Sequence, residues 1–191
     1  MKVLLHACCA PCSTVAIERL IDAGHNVSLF FYNPNIFPPD ERGKRFEEVR
    51  TLAEKSGLDV IFREGGESSW RRMVAPLSER GEKSARCWVC FAIRLDAAAS
   101  EAAGRGMQAF TTTLTTAPMK DSNVIFRIGR MLGKKYSVAF LGENFKKKNG
   151  FGRSVEICKC HGLYRQDYCG CEWSMKEAAA RRKAKGGDEI V

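Results

Sequence analysis

The chain has 191 residues, with 31 lysines and arginines against 22 aspartates and glutamates, a formal charge of +9 and nine cysteines. A chain of this length buries a core without covalent staples, which removes the usual structural reason for enriching cysteine. Lys2 precedes only Val3-Leu4-Leu5 before His6, short of the roughly 7–15 apolar residues of an export signal, and no segment reaches the roughly 20 needed to span a bilayer; a cytoplasmic protein with no membrane association and reduced thiols is expected.

In chain order, Lys2 to His6 reads as a short buried strand, and Pro11 opens a helix that runs to about Ala23, ahead of Gly24. Val27 to Tyr32 is a second strand, followed by a proline-rich loop through Pro39 and a helix presenting Phe46, Val49 and Ala53 on one face. A third strand is expected over Val60 to Phe62. Trp70, Met73, Val74 and Leu77 form a helical stripe interrupted by Pro76 and read as core. A helix starting near Cys87 continues through Phe91, Leu95 and Ala98. Ala109 to Thr113 and Ser137 to Leu141 read as strands flanking a helix over Ser122 to Leu132. This alternation predicts an α/β fold, a parallel sheet with helices on both faces, in a single domain covering 1–191. Beyond Gly142 lies a polar, cysteine-bearing C-terminal extension ending in a basic helical tail over about 172–191.

Seven cysteines fall into three groups: Cys8-Cys9-Ala-Pro-Cys12, Cys87-Trp-Val-Cys90 and Cys169-Gly-Cys171. Thiolates are soft ligands and can be oxidised in pairs, so such grouping points to metal or redox chemistry. The first group sits on the turn after the first strand, the usual ligand position of an open parallel sheet. The following helix directs its positive end there, which should lower thiol pKa most directly at Cys12. Cys87 and Cys90, three apart at a helix start, make half of a metal site. Their partner would be the adjacent pair Cys8 and Cys9, an arrangement that suits an iron-sulfur cluster better than a zinc ribbon built from two Cys-x-x-Cys pairs. Cys169 and Cys171 read equally well as a strained, easily reduced dithiol or as part of a second metal site with Cys158, Cys160 or His161.

Together, His6 to Cys12, Tyr32-Asn-Pro-Asn35, Arg86 to Cys90, Thr112 to Pro118 and Leu163 to Cys171 resemble the QueH-type epoxyqueuosine reductases, in order over about residues 2–174. The resemblance implies a PP-loop/HUP-like fold and the reduction of epoxyqueuosine to queuosine at the wobble position of tRNA, the last step of that pathway, without cobalamin. It implies a 4Fe-4S cluster on Cys8, Cys9, Cys87 and Cys90, with Cys169 and Cys171 as the redox-active pair. The position of Cys12 varies in the family, and an additional iron beside the cluster is associated with that region. Cys158 and Cys160 fall outside the family pattern.

Deoxygenating an epoxide consumes two electrons and two protons and releases water, so a cluster, a dithiol and an electron donor from outside the chain together meet the need. The first turn carries cysteines and proline in place of a glycine-rich phosphate loop, so no ATP use is expected. The resemblance implies tRNA carrying epoxyqueuosine as the partner, with which the formal charge of +9 is consistent. Tyr32, Trp88, Tyr164 and Tyr168 are candidates for stacking a splayed base, and Asn33, Asn35, Arg86, Arg165 and Gln166 lie in the same motifs. Lys146, Lys147 and Lys148, with Arg153 and the basic tail, are candidates for phosphate contacts. A zinc-stabilised RNA-binding module without redox activity is the alternative, and a protein thiol-disulfide oxidoreductase is a third.

Overall fold

The computed structural model describes residues 1–186; of the predicted tail, 187–191 lie outside the described residues. A five-stranded, all-parallel sheet has the order β3-β2-β1-β4-β5, from β1 (Lys2–His6), β2 (Asn26–Phe31), β3 (Val60–Phe62), β4 (Ala109–Thr112) and β5 (Ala139–Phe140). Side-chain alternation divides the core. Leu4, Phe30 and Phe110 point to α4 (Ala85–Gly104) and α5 (Ser122–Tyr136). Leu5, Leu29 and Phe31 point to α1 (Ala10–Asp22) and α2 (Pro39–Lys55). Both faces are covered, as the sequence predicts.

Local signals account for most boundaries. Gly24 at φ 73° breaks the chain after α1. Ser84 caps α4 by accepting from the Arg86 amide at 3.3 Å, and Asp121 caps α5 by accepting from the Asn123 amide at 2.8 Å. β5 is shorter than its predicted span because Ser137, at φ 54°, still belongs to the C-cap of α5. The Trp70 stripe is core only in part: Trp70 and Val74 are buried in α3 (Glu67–Val74), whereas Met73 is 55% exposed. Pro76 lies in the following 3-10 turn, so Leu77 leaves the helical stripe half-buried.

The region after Gly142 contains a helix that the sequence does not announce, α6 (Gly150–His161), before α7 (Glu172–Gly186). Two glycines in its first turn argue against a helix, but tertiary packing overrides propensity. A Cβ on Gly150 would lie 1.8 Å from the Phe145 carbonyl oxygen, and Ser154 donates its hydroxyl to the Pro11 carbonyl at 2.5 Å. Small residues thus seat α6 on the start of α1, beside the first cysteine group.

The sheet changes winding direction between β1 and β4, so the segments leaving their carboxyl ends diverge and open a crevice. Cys8 and Cys9 leave β1 at that point, and the threonine-rich turn Thr113–Thr116 leaves β4.

Candidate active site

Cys9 is the N-cap of α1, Pro11 and Cys12 lie in its first turn, and no side chain caps the helix, so its free amides and positive dipole end lie at the cysteines. The sulfurs of Cys8, Cys9 and Cys12 all lie within 4.8 Å of one another. The turn after β4 holds this group in place. Thr113 Oγ1 accepts from the Cys8 amide at 3.0 Å and donates to Cys8 Sγ at 3.2 Å, while Thr116 Oγ1 donates to the Cys12 carbonyl at 2.9 Å. From the C-terminal region, Gln166 Nε2 donates to Cys9 Sγ at 2.8 Å.

The helix dipole alone would favour the thiolate at Cys12, but hydrogen bonding within the group decides otherwise. Hydrogen bonds from Cys12 and then Cys9 hold the Cys8 thiol well below its ordinary range. Cys9 is pushed up to about 12, because the anionic Cys8 and burial outweigh the hydrogen bond with Cys12. Cys12, bonded to Cys8 and Cys9, is also raised. Of the three, Cys8 is the one whose thiol is easiest to ionise. His6 does not join this chemistry: it is fully buried between Thr112 Oγ1 at 2.9 Å and the Tyr32 carbonyl at 3.3 Å, and burial with the nearby Arg94 lowers its pKa to about 3.

Cys87 and Cys90 stand on α4, with Cys90 the more buried. Burial raises both thiols, Cys90 to about 11. Cys87, Cys90, Cys169 and Cys171 surround one small cavity together with Trp70, Arg86 and Asn35, and all nine cysteines are free thiols. The Cys-Gly-Cys loop is fixed from outside. Buried Arg45, paired with Glu41 at 2.7 Å, donates to the carbonyls of Cys169 and Tyr168, and the Gly170 carbonyl accepts from the Phe37 amide at 2.8 Å. Gly170 adopts φ 140°, and a Cβ there would lie 2.9 Å from Asn35 Nδ2 and 3.1 Å from Ile36 Cγ1. Gly170→Ala is therefore expected to destabilise the protein by about 1–3 kcal/mol, read as a lower denaturation midpoint; an unchanged midpoint would show the loop to be unconstrained.

A cavity of about 500 Å³ joins the cysteine groups, lined by Cys8, Cys12, Cys87 and Cys169. Of the sequence candidates, Trp88, Arg165, Gln166 and Tyr168 line it as well, Trp88 being 40% exposed. The others are placed elsewhere. Tyr32 stacks on Phe30 with 6.3 Å between ring centroids, and Tyr164 donates its hydroxyl to Glu41. Asn33 donates to the Ala7 carbonyl at 2.9 Å, Asn35 lines the smaller cavity, and Arg86 pairs with Glu177 at 2.8 Å, tying α7 to α4. Lys146 donates to the Lys120 carbonyl at 2.6 Å, whereas Lys147 and Lys148 are exposed. Arg153 is engaged by Glu18. Sequence reasoning missed Lys120, which lines the main cavity; burial opposes its charge, but Cys169, Cys8 and Cys12 raise its pKa. Its position just after the Thr112–Pro118 motif was the available signal.

Cysteines from three segments converge at the switch point of an open parallel α/β sheet, which defines a thiol-based metal or redox centre. Two solved structures share the fold at 12% identity: a predicted subunit of tRNA methyltransferase from Methanocaldococcus jannaschii (TM-score 0.59, 85% of this chain and 89% of that one) and the U34-tRNA thiolase NcsA from Methanococcus maripaludis with its [4Fe-4S] cluster (TM-score 0.58, 100% and 68%). The family described as Epoxyqueuosine reductase QueH matches residues 3–177. Relatives of that name include those of Thermotoga maritima, 39% identical over 92% of this chain and 91% of its own, and Histophilus somni, 36% identical over 99% and 78%. The chain belongs to the epoxyqueuosine reductase QueH family and is an oxidoreductase of tRNA queuosine synthesis.

Proposed function

We propose that the protein reduces epoxyqueuosine to queuosine at the wobble position of tRNA with a 4Fe-4S cluster on Cys8, Cys9, Cys87 and Cys90 and with Cys169 and Cys171 as a dithiol that becomes a disulfide. The observation that carries this reading is the shared cavity, where Cys8, Cys12, Cys87 and Cys169 meet. Cys8 and Cys9 stand with Cys12 at ligand spacing, Cys87 lines the main cavity with Cys8, Cys90 lines the smaller cavity with Cys87, and the buried Trp70 Nε1 and Gln166 Oε1 nearby lack protein partners, a setting that supports a cluster held by Cys8, Cys9, Cys87 and Cys90. When bound, the cluster supplies one-electron transfer. Cys12, within the same sulfur group, is the residue for an additional iron.

The chain's own groups account for the remaining balance. The epoxide oxygen leaves as water, the carbon-carbon double bond forms, and the two sulfurs of Cys169 and Cys171 give up two electrons and two protons as their bond closes. An electron donor from outside the chain restores the dithiol. Lys120 Nζ stabilises negative charge as it develops on the departing oxygen. Trp88 and Tyr168 at the cavity offer faces for the modified base. The turn after β1 carries cysteines and a proline in place of the glycines of a phosphate-binding turn, which supports a reaction without ATP; independence of cobalamin is what the family resemblance implies.

The test is anaerobic incubation of the iron-loaded protein with epoxyqueuosine-containing tRNA and a chemical reductant, followed by nucleoside mass analysis. Queuosine, one oxygen lighter than the epoxyqueuosine supplied, is the expected product; tRNA recovered unchanged would contradict the proposal. Affinity for tRNA is also expected to fall with salt, and Lys147→Ala or Lys148→Ala should each flatten the log-log salt slope by about 0.7–0.9. A slope unaltered in both variants would remove these lysines from the phosphate contacts.

A further inference from the structure

Arg45 and Arg94 are the largest fully buried side chains, yet only one of them is satisfied. Arg45 has a carboxylate and two carbonyls. Arg94 makes a single hydrogen bond, from Nη2 to Asn33 Oδ1 at 2.6 Å, while its Nε and Nη1 find no partner and no carboxylate pairs with it among the described residues. A guanidinium stripped of water and left with a neutral amide is strongly unfavourable unless negative charge faces it.

Cysteines are the groups placed to supply that charge once they are ionised as ligands. Cys87, Cys90 and Arg94 lie at i, i+3 and i+7, along one stripe of α4. Asn33 carries the connection to the first cysteine turn, donating to the carbonyl of Ala7, the residue before Cys8. Arg94 thus lies between the two cysteine-bearing segments. Although burial opposes its charge, Cys90, Cys8 and Cys169 raise its pKa. Trp70 Nε1 is a second buried donor without a partner, and it lies close enough to Cys90 to favour the thiolate without completing a hydrogen bond.

We propose that Arg94 is the countercation of the cysteine centre, a positioning residue whose unpaired Nε and Nη1 donors are available to the thiolates and to the group they hold, and which sets how tightly that group is retained and how readily it accepts an electron. The inference rests on the cluster reading above. Four thiolates around a 4Fe-4S core carry net negative charge, and reduction adds to it; a buried cation offsets the added charge and raises the reduction potential.

The experiment uses the full chain purified without oxygen, with Arg94→Gln, which keeps a donor but removes the charge, and Arg94→Lys, which keeps the charge. Asn33→Asp places a carboxylate on the guanidinium but gives up the donor to the Ala7 carbonyl, so Asn33→Ala, which loses the same bond without adding charge and is expected to keep its midpoint, is measured beside it. Exposed Arg72→Gln is the control. Thermal melts establish folding, and redox titration followed by electron paramagnetic resonance gives the midpoint. A more negative midpoint and faster release of iron to a chelator are expected for Arg94→Gln and Asn33→Asp, with Arg94→Lys and Arg72→Gln close to the unaltered protein. Unchanged midpoint and iron release in folded Arg94→Gln or Asn33→Asp would overturn this inference alone. Unaltered protein that holds no iron and no sulfide would overturn both it and the cluster reading.

Discussion

Cys8→Ser is expected to yield a folded protein that binds iron at least about 100-fold more weakly than the unaltered chain and shows no turnover. Loss of a supporting group beyond the ligands already costs metal affinity by 10–100-fold, so loss of a ligand sulfur sets a larger effect. The fold should survive because serine matches cysteine in shape and Thr113, which bonds both the amide and the sulfur of Cys8, can bond a hydroxyl in the same place. Chelator competition with iron, read beside a thermal melt, checks both parts. A Cys8→Ser protein that retained iron with normal affinity would move the centre away from the carboxyl end of β1.

The second large effect separates electron supply from metal retention. Cys169→Ser and Cys171→Ser are each expected to keep iron content unchanged and to lose turnover by roughly 10⁴-fold, the order found when one reacting group is removed while the binding framework remains. Cys171 hydrogen-bonds at the start of α7, accepting from the Ser174 amide at 3.4 Å, and the Cys169 carbonyl is held by Arg45, so a serine at either place leaves the loop's backbone bonds intact. Full turnover with iron intact in either variant would exclude the dithiol as the reductant; loss of iron would instead make the residue a ligand.

The sheet was legible because its strands are short apolar runs between turn signals, and helices alternate with them at the period that parallel connection requires. Cys8 and Cys9 could be placed by the same logic, since a turn after a central strand of such a sheet faces the ligand crevice. The α6 helix was not legible: Gly150 and Gly152 speak against it locally, and only its seat on Pro11 and Phe145 explains it. The lowered thiol expected at Cys12 falls at Cys8, because a dipole argument sees the helix but not the hydrogen bonds among the neighbouring sulfurs, which lower Cys8 and raise Cys12. Nothing local in the sequence marks Arg45 and Arg94 for burial. Their burial is a consequence of which loops return to the site, and that information resides in tertiary structure.

The most direct measurement is the iron, acid-labile sulfide and zinc content of protein purified without oxygen. About four irons and four sulfides per chain, with any further iron lost on Cys12→Ser, are predicted. About one zinc with no sulfide would contradict the account and favour a structural RNA-binding module in its place.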